Sequence, residues 1–147
     1  MEILKPSELT SEVLKTRHSG MPFIICTNSS RVLKKICDAG FKEVQINQEL
    51  SKRLLNISKE ERLKSVENTL KDMFDYREPI FVSGFEMLFD PRYEIDVLKF
   101  FCERARIINV AIKWPGHFMA GKLIYAKPGD PDYHEFESKA YQIRIVQ

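Results

Sequence analysis

Apolar residues in this chain fall into short continuous runs and helically spaced stripes, and the two alternate. The run from 22 to 26 ends at the polar cluster Thr27, Asn28, Ser29 and Ser30, the pattern of a strand buried on both faces. Val32, Leu33, Ile36 and Ala39 then recur at helical spacing ahead of Gly40, which predicts a helix over 30–39. Phe41, Val44 and Ile46 stand among polar residues and predict a second strand over 41–46. Leu50, Leu54 and Leu55 predict a helix over 48–55. A further helix opens at the Ser58 and Glu61 capping box and extends to about 74, with Leu63, Val66, Leu70, Met73 and Phe74 on one face.

The run 79–82, ending at Ser83-Gly84, predicts a central strand. Asp90-Pro91 predicts the opening of a helix over 93–105, with Ile95, Leu98, Phe101 and Cys102 inward. The run 107–112 ends at Trp114-Pro115-Gly116, and two more short strands, 122–125 and 141–146, flank the turn-rich stretch 127–132. The order β-α-β-α-α-β-α-β predicts an α/β fold in three layers, a mostly parallel sheet with helices on both faces, and a short C-terminal β addition as a sheet edge or hairpin. Ligands of such sheets bind at the carboxyl ends of the strands.

A length of 147 residues suits one domain over 1–147, with 1–20 expected as an N-terminal helix or a mobile segment. Hydrophobic residues are 44% of the chain, which excludes a disordered or collagen-like polymer. No apolar run approaches the roughly 18 residues that span a bilayer, and no basic stretch leads into an apolar one as in a signal peptide. A cytoplasmic protein with no membrane partner is the expectation. Cysteines at 26, 37 and 102 lack C-x-x-C spacing and read as reduced core thiols, and the histidines at 18, 117 and 134 stand apart. No metal site is expected.

Net charge is only +2, but it is unevenly spread. Residues 1–66 carry 12 basic and 8 acidic side chains, 67–98 carry 3 and 8, and 99–127 carry 6 and 1. Such blocks suggest docking surfaces, although solvated faces that pair across the fold are the simpler reading.

An α/β chain of this order calls for a search for a phosphate-binding loop. Residues 26–31 contain neither glycine nor lysine, and Lys34 and Lys35 lie inside the following helix. Thr27, Asn28, Ser29 and Ser30 at a helix start attract anions weakly, and ordinary capping is the simpler role. The strand where a magnesium-binding acid is needed ends in Ser83. Glu86 follows closely and reads as a dipole partner of a first turn. Trp114, Tyr125 and Tyr133, flanked by Lys113, Lys122 and Lys127, compose an aromatic and basic surface for a partner or nucleic acid. The simpler role for Trp114 is to close the core.

Several separate segments, from 44 to 133, resemble the BrxF family, the small P-loop proteins of type III BREX bacteriophage-exclusion systems. They are Glu49-Leu50-Ser51-Lys52-Arg53-Leu54-Leu55, Glu86-Met87-Leu88-Phe89-Asp90, the helix ending in Arg104-Ala105-Arg106, Trp114-Pro115-Gly116, and Gly121-Lys122-Leu123-Ile124-Tyr125-Ala126 with Pro128-Gly129 and Asp132-Tyr133. The resemblance implies a P-loop NTPase-like scaffold that binds and hydrolyses ATP within an antiviral defence complex. This chain departs from the family at the phosphate loop, replaced by 26–30, and at the magnesium-holding acid, where Ser83 stands. The resemblance therefore implies a degenerate, non-catalytic subunit with no cofactor, an adaptor or assembly factor whose partners are other BREX proteins. Two alternatives stay open: an ATPase using ATP and magnesium at a site completed by a neighbouring subunit through Arg104 or Arg106, and DNA binding by the basic 99–127 block. Homo-oligomers are compatible with either.

Overall fold

The computed structural model describes residues 1–16, 20–74 and 78–147. The end of the 1–20 segment and the charged turn ahead of residue 79 therefore fall partly outside the described residues.

The chain is an α/β fold built on a six-stranded, all-parallel sheet and a separate three-stranded antiparallel sheet. Strand β1 (Glu2–Leu4) and helix α1 (Ser11–Lys15) open it, so the N-terminal segment supplies both an edge strand and a short helix. There follow β2 (Phe23–Ile25), α2 (Ser30–Asp38), β3 (Lys42–Gln45), α3 (Ile46–Leu54) and α4 (Lys59–Met73). Then come β4 (Ile80–Ser83), α5 (Val97–Ala105), β5 (Val110–Lys113), the antiparallel strands β6 (His117–Met119), β7 (Lys122–Tyr125) and β8 (His134–Glu137), and finally β9 (Arg144–Val146). The parallel sheet runs β1-β9-β2-β5-β4-β3.

Apolar cores lie on both faces of the sheet. Ile24, Val82 and Ile112 point into the larger one, with α3, α4, α5 and the antiparallel sheet. Phe23, Ile25, Phe81 and Ala111 point into the smaller one, under α1 and α2. Alternation along fully buried strands explains why both faces of β2, β4 and β5 are apolar.

Three expectations need correction. The segment 141–146 is not an added edge or hairpin partner: β9 inserts between β1 and β2, in register Ile24 to Ile145. Its buried residues serve both faces, Ile145 on the larger core and Val146 on the smaller, which an edge strand would not need. The stretch after Asp90-Pro91 is also not a continuous helix from 93. Asp90 accepts from Arg92 N–H and caps only a short turn, Glu94 adopts φ 53°, and a second aspartate, Asp96, caps α5 by accepting from Lys99 N–H at 3.0 Å. Cys37, expected in the core, is exposed on α2.

Candidate functional site

The connection leaving β2 lies on the smaller core and that leaving β5 on the larger, so the two neighbouring strands part at their carboxyl ends. Such a switch point is where open α/β sheets bind ligands. The residues that meet there are the turn 26–29 and Lys113, whose strand position pairs with Ile25.

Thr27 Oγ1 accepts a hydrogen bond from Ser29 N–H at 3.2 Å, closing a local turn, and the Ser29 side chain makes no capping bond. Four residues thus join β2 to α2, tied to the sheet by Cys26 N–H donating to Val146 O. The Lys113 ammonium donates to Thr27 O at 2.9 Å and to Asn28 Oδ1 at 2.8 Å. A lysine from the neighbouring strand therefore lies across the mouth of the turn, bonded to groups a ligand would have to displace. Burial holds its pKa below the ordinary value, against the opposing pull of Cys26. Burial also pushes the Cys26 thiol up to about 12, which makes it a poor nucleophile.

Ser83 is separated from this turn by β5, at about 10 Å for two strand spacings, and its hydroxyl donates to Glu43 Oε1. Beyond it, Gly84 takes φ 57° with the Gln45 side chain packed where a Cβ would stand. Asn47, at the start of α3, donates to Glu86 Oε2 at 2.7 Å and accepts from Met87 N–H at 3.2 Å. Glu86 is thus fixed in a short 3-10 turn, Glu86–Phe89, across the carboxyl end of the sheet. Thr27, Asn28, Ser29, Ser30, Ser83 and Glu86 share that end of the sheet without forming one cluster. Among the described residues no group of three or more His, Cys, Asp or Glu is arranged to hold a metal ion.

The aromatic and basic residues separate. Trp114 is 2% exposed, donates from Nε1 to Ile124 O at 3.0 Å, and meets Phe89 and Phe136 edge to face. Gly116 packs directly on the same carbonyl, leaving no space for a side chain. The Trp-Pro-Gly motif thus clamps the antiparallel sheet to the end of β5. Tyr125 stacks on Phe89 at 4.1 Å, and its pKa is raised by burial and by the charges of Asp132 and Glu86. Lys122 pairs with Glu135, which also accepts from the Tyr133 hydroxyl. Lys127 is exposed in the turn that follows β7. Arg104 and Arg106 end α5 beside Gly20, which precedes β2, so they lie at the opposite, amino end of the sheet. Arg104 is folded over Phe100. The eight residues therefore form no common surface.

Asn47 was not singled out in the sequence, and Asp132 only as part of the Asp132-Tyr133 segment of the resemblance, not as a site residue. A lone asparagine after a strand carries no signal, and Asp132 reads as one more turn residue. No protein-family model, curated protein or solved structure matches the chain. Among the described residues no helix is long and apolar enough to cross a membrane.

Proposed function

We propose that this chain is a non-catalytic, BrxF-like subunit of a BREX-type bacteriophage defence system, a protein-binding adaptor or assembly factor on a degenerate P-loop NTPase-like scaffold. The observation that carries the reading is Lys113, bonded to Thr27 O and Asn28 Oδ1 across the switch point. Phosphoryl chemistry needs free backbone N–H groups and a lysine directed at the phosphates, with an acid nearby for magnesium. Here the lysine is turned onto the loop itself, the loop has no glycine, and β4 ends in Ser83. These groups do not supply the charge stabilisation that phosphoryl transfer requires. The parallel sheet, with helices on both faces, supports the scaffold part of the reading.

Calorimetric titration with ATP and magnesium, followed by thermal denaturation with both in excess, tests the nucleotide part. A ligand that binds only the folded state raises apparent stability by mass action. No heat and no shift are expected. Saturable binding would overturn the degenerate-site reading. Co-expression with the other BREX proteins tests the adaptor part: co-elution of the chain with a component in size exclusion is expected, and elution of the chain alone counts against it.

A further inference from the structure

After β4 the chain crosses the carboxyl end of the sheet in two short turns, Glu86–Phe89 and Pro91–Tyr93, and the turn between β7 and β8 faces them. Between these segments is an open groove of about 610 Å³, with Met87, Pro91, Tyr93 and Pro131 as apolar lining and Glu86 and Asp132 as acids. A third acid, Asp90, is neutralised by its own ion pair with Arg92 at 2.7 Å, and Arg92 is the cation of the lining. Among the described residues neither Glu86 nor Asp132 has a cationic partner. Glu86 accepts from the Asn47 amide, and burial, helped by the charge of Asp132, raises the pKa of the neighbouring Tyr125.

The wall made by Asp90 and Pro91 is shared with a second hollow of about 350 Å³, lined also by Glu94, Ile95 and Asp96. An apolar floor with an acidic rim therefore continues along the chain from 86 to 96. Residues 86–96 hold four of the eight acidic side chains of the block 67–98, Glu86, Asp90, Glu94 and Asp96, and one of its three basic ones, Arg92. Such a field attracts cationic partners and repels phosphate backbones. Asn47 donates to the Glu86 carboxylate and accepts from the adjoining Met87 N–H, which fixes that carboxylate before anything binds and lowers the ordering cost of recognition.

We infer that this groove receives a linear segment of a partner protein in which arginine or lysine alternates with apolar residues. The cationic side chain lies between Glu86 and Asp132, and its apolar neighbours rest on Met87, Pro91 and Tyr93. The inference rests on the adaptor reading and names the chemistry of the partner. A second copy of this chain is the competing occupant: Lys113 and Lys122 of its basic block are engaged within the fold but Lys127 is exposed, and sedimentation separates the two cases.

The test is fluorescence anisotropy with a labelled peptide of alternating arginine and leucine, and with a control peptide of alternating glutamate and leucine. Proteins compared are the wild type, the double variant Glu86→Gln with Asp132→Asn, and a control double variant, Glu60→Gln with Glu61→Gln, on exposed positions of α4. Circular dichroism confirms that each is folded. Saturable binding of the arginine peptide is expected, weakened about tenfold by loss of the two groove charges and unchanged in the control variant. It should also weaken with salt, and the glutamate peptide should not bind. Equal affinity for wild type and groove variant, or no binding by wild type, overturns the inference. So does self-association of the wild type in sedimentation that the groove variant abolishes, since the occupant is then a second copy. The adaptor reading is judged separately: a groove variant that still co-elutes with a BREX component sinks the groove assignment alone, whereas a wild type that co-elutes with none sinks the adaptor reading.

Discussion

Truncation of Trp114 distinguishes a tryptophan that closes the core from one that presents a docking face. It is the largest fully buried side chain of the protein, edge to face with Phe89 and Phe136 and near Phe85 at 6.2 Å. Trp114→Ala removes this volume, at a typical cost of about 3–5 kcal/mol for a large aromatic in a core. It also removes the donor that Ile124 O receives from Nε1, which adds about 1 kcal/mol or more if that carbonyl stays buried. Trp114→Phe keeps a ring in contact with its neighbours and loses mainly the hydrogen bond and part of the volume, so about 2 kcal/mol is expected. For a chain of this size 1 kcal/mol moves the melting temperature by about 2–4 °C. The phenylalanine variant should therefore melt about 4–8 °C below wild type. The alanine variant should melt at least about 10 °C lower, or lose cooperative unfolding, since total stability is typically about 5–15 kcal/mol. Far-ultraviolet circular dichroism during heating and urea titration measures both. An alanine variant within about 0.5 kcal/mol of wild type would refute the reasoning, because that is the cost of changing an exposed residue.

Two other perturbations follow from local geometry. Lys113→Met removes the donor to Thr27 O and Asn28 Oδ1 and should cost about 1–2 kcal/mol in urea unfolding; a lysine held free for a nucleic acid would leave the midpoint unchanged. Ala120 and Gly121 form the two-residue turn between β6 and β7 with φ of 53° and 76°, a conformation that favours asparagine over alanine at the first position. Ala120→Asn should raise stability by about 0.5–1 kcal/mol, read as a higher melting temperature, and a lower one would contradict the turn assignment.

The elements whose patterns are closed locally were legible in the sequence. The run 22–26 is β2, the stripe at Val32 and Ile36 is α2, and 122–125 is β7 as expected. The helix opening at Ser58 begins there, yet the Ser58 side chain makes no capping bond. What stabilises that junction is Arg62, whose Nε donates to Leu54 O and Ile57 O and so satisfies carbonyls at the end of α3. No spacing rule points to such a bond. The antiparallel strands β6 and β8 were missed because they are short and mostly exposed, with only Phe136 buried in β8 and none in β6. Without a buried face, alternation gives no signal. The placement of β9 was missed for a different reason: its sequence fits either a hairpin or a buried parallel strand, and only the neighbours in the sheet decide.

The same dependence on neighbours governs the site. Lys113 was read as part of a basic surface because it precedes Trp114 in the chain, but its partners are Thr27 and Asn28, 86 and 85 residues away. They meet only because β5 lies beside β2. The aromatic residues follow the same logic in reverse. Trp114 and Tyr125 were candidates for an outer surface, and the antiparallel sheet folds them inward onto Phe89. Doing so seats the turn between β7 and β8 opposite 86–93, where Pro131 and Asp132 line the groove. The contacts that draw Trp114 and Tyr125 onto Phe89 thus build the wall of the proposed groove. On the proposed reading, recognition at this end of the sheet falls to the Glu86 and Asp132 carboxylates. A groove supported by the Trp114 clamp should then weaken in parallel with it: Trp114→Phe is expected to lower affinity for the arginine and leucine peptide while leaving Glu86 and Asp132 in place. Unchanged affinity in that variant would mean that the acidic turn holds its shape without the antiparallel sheet.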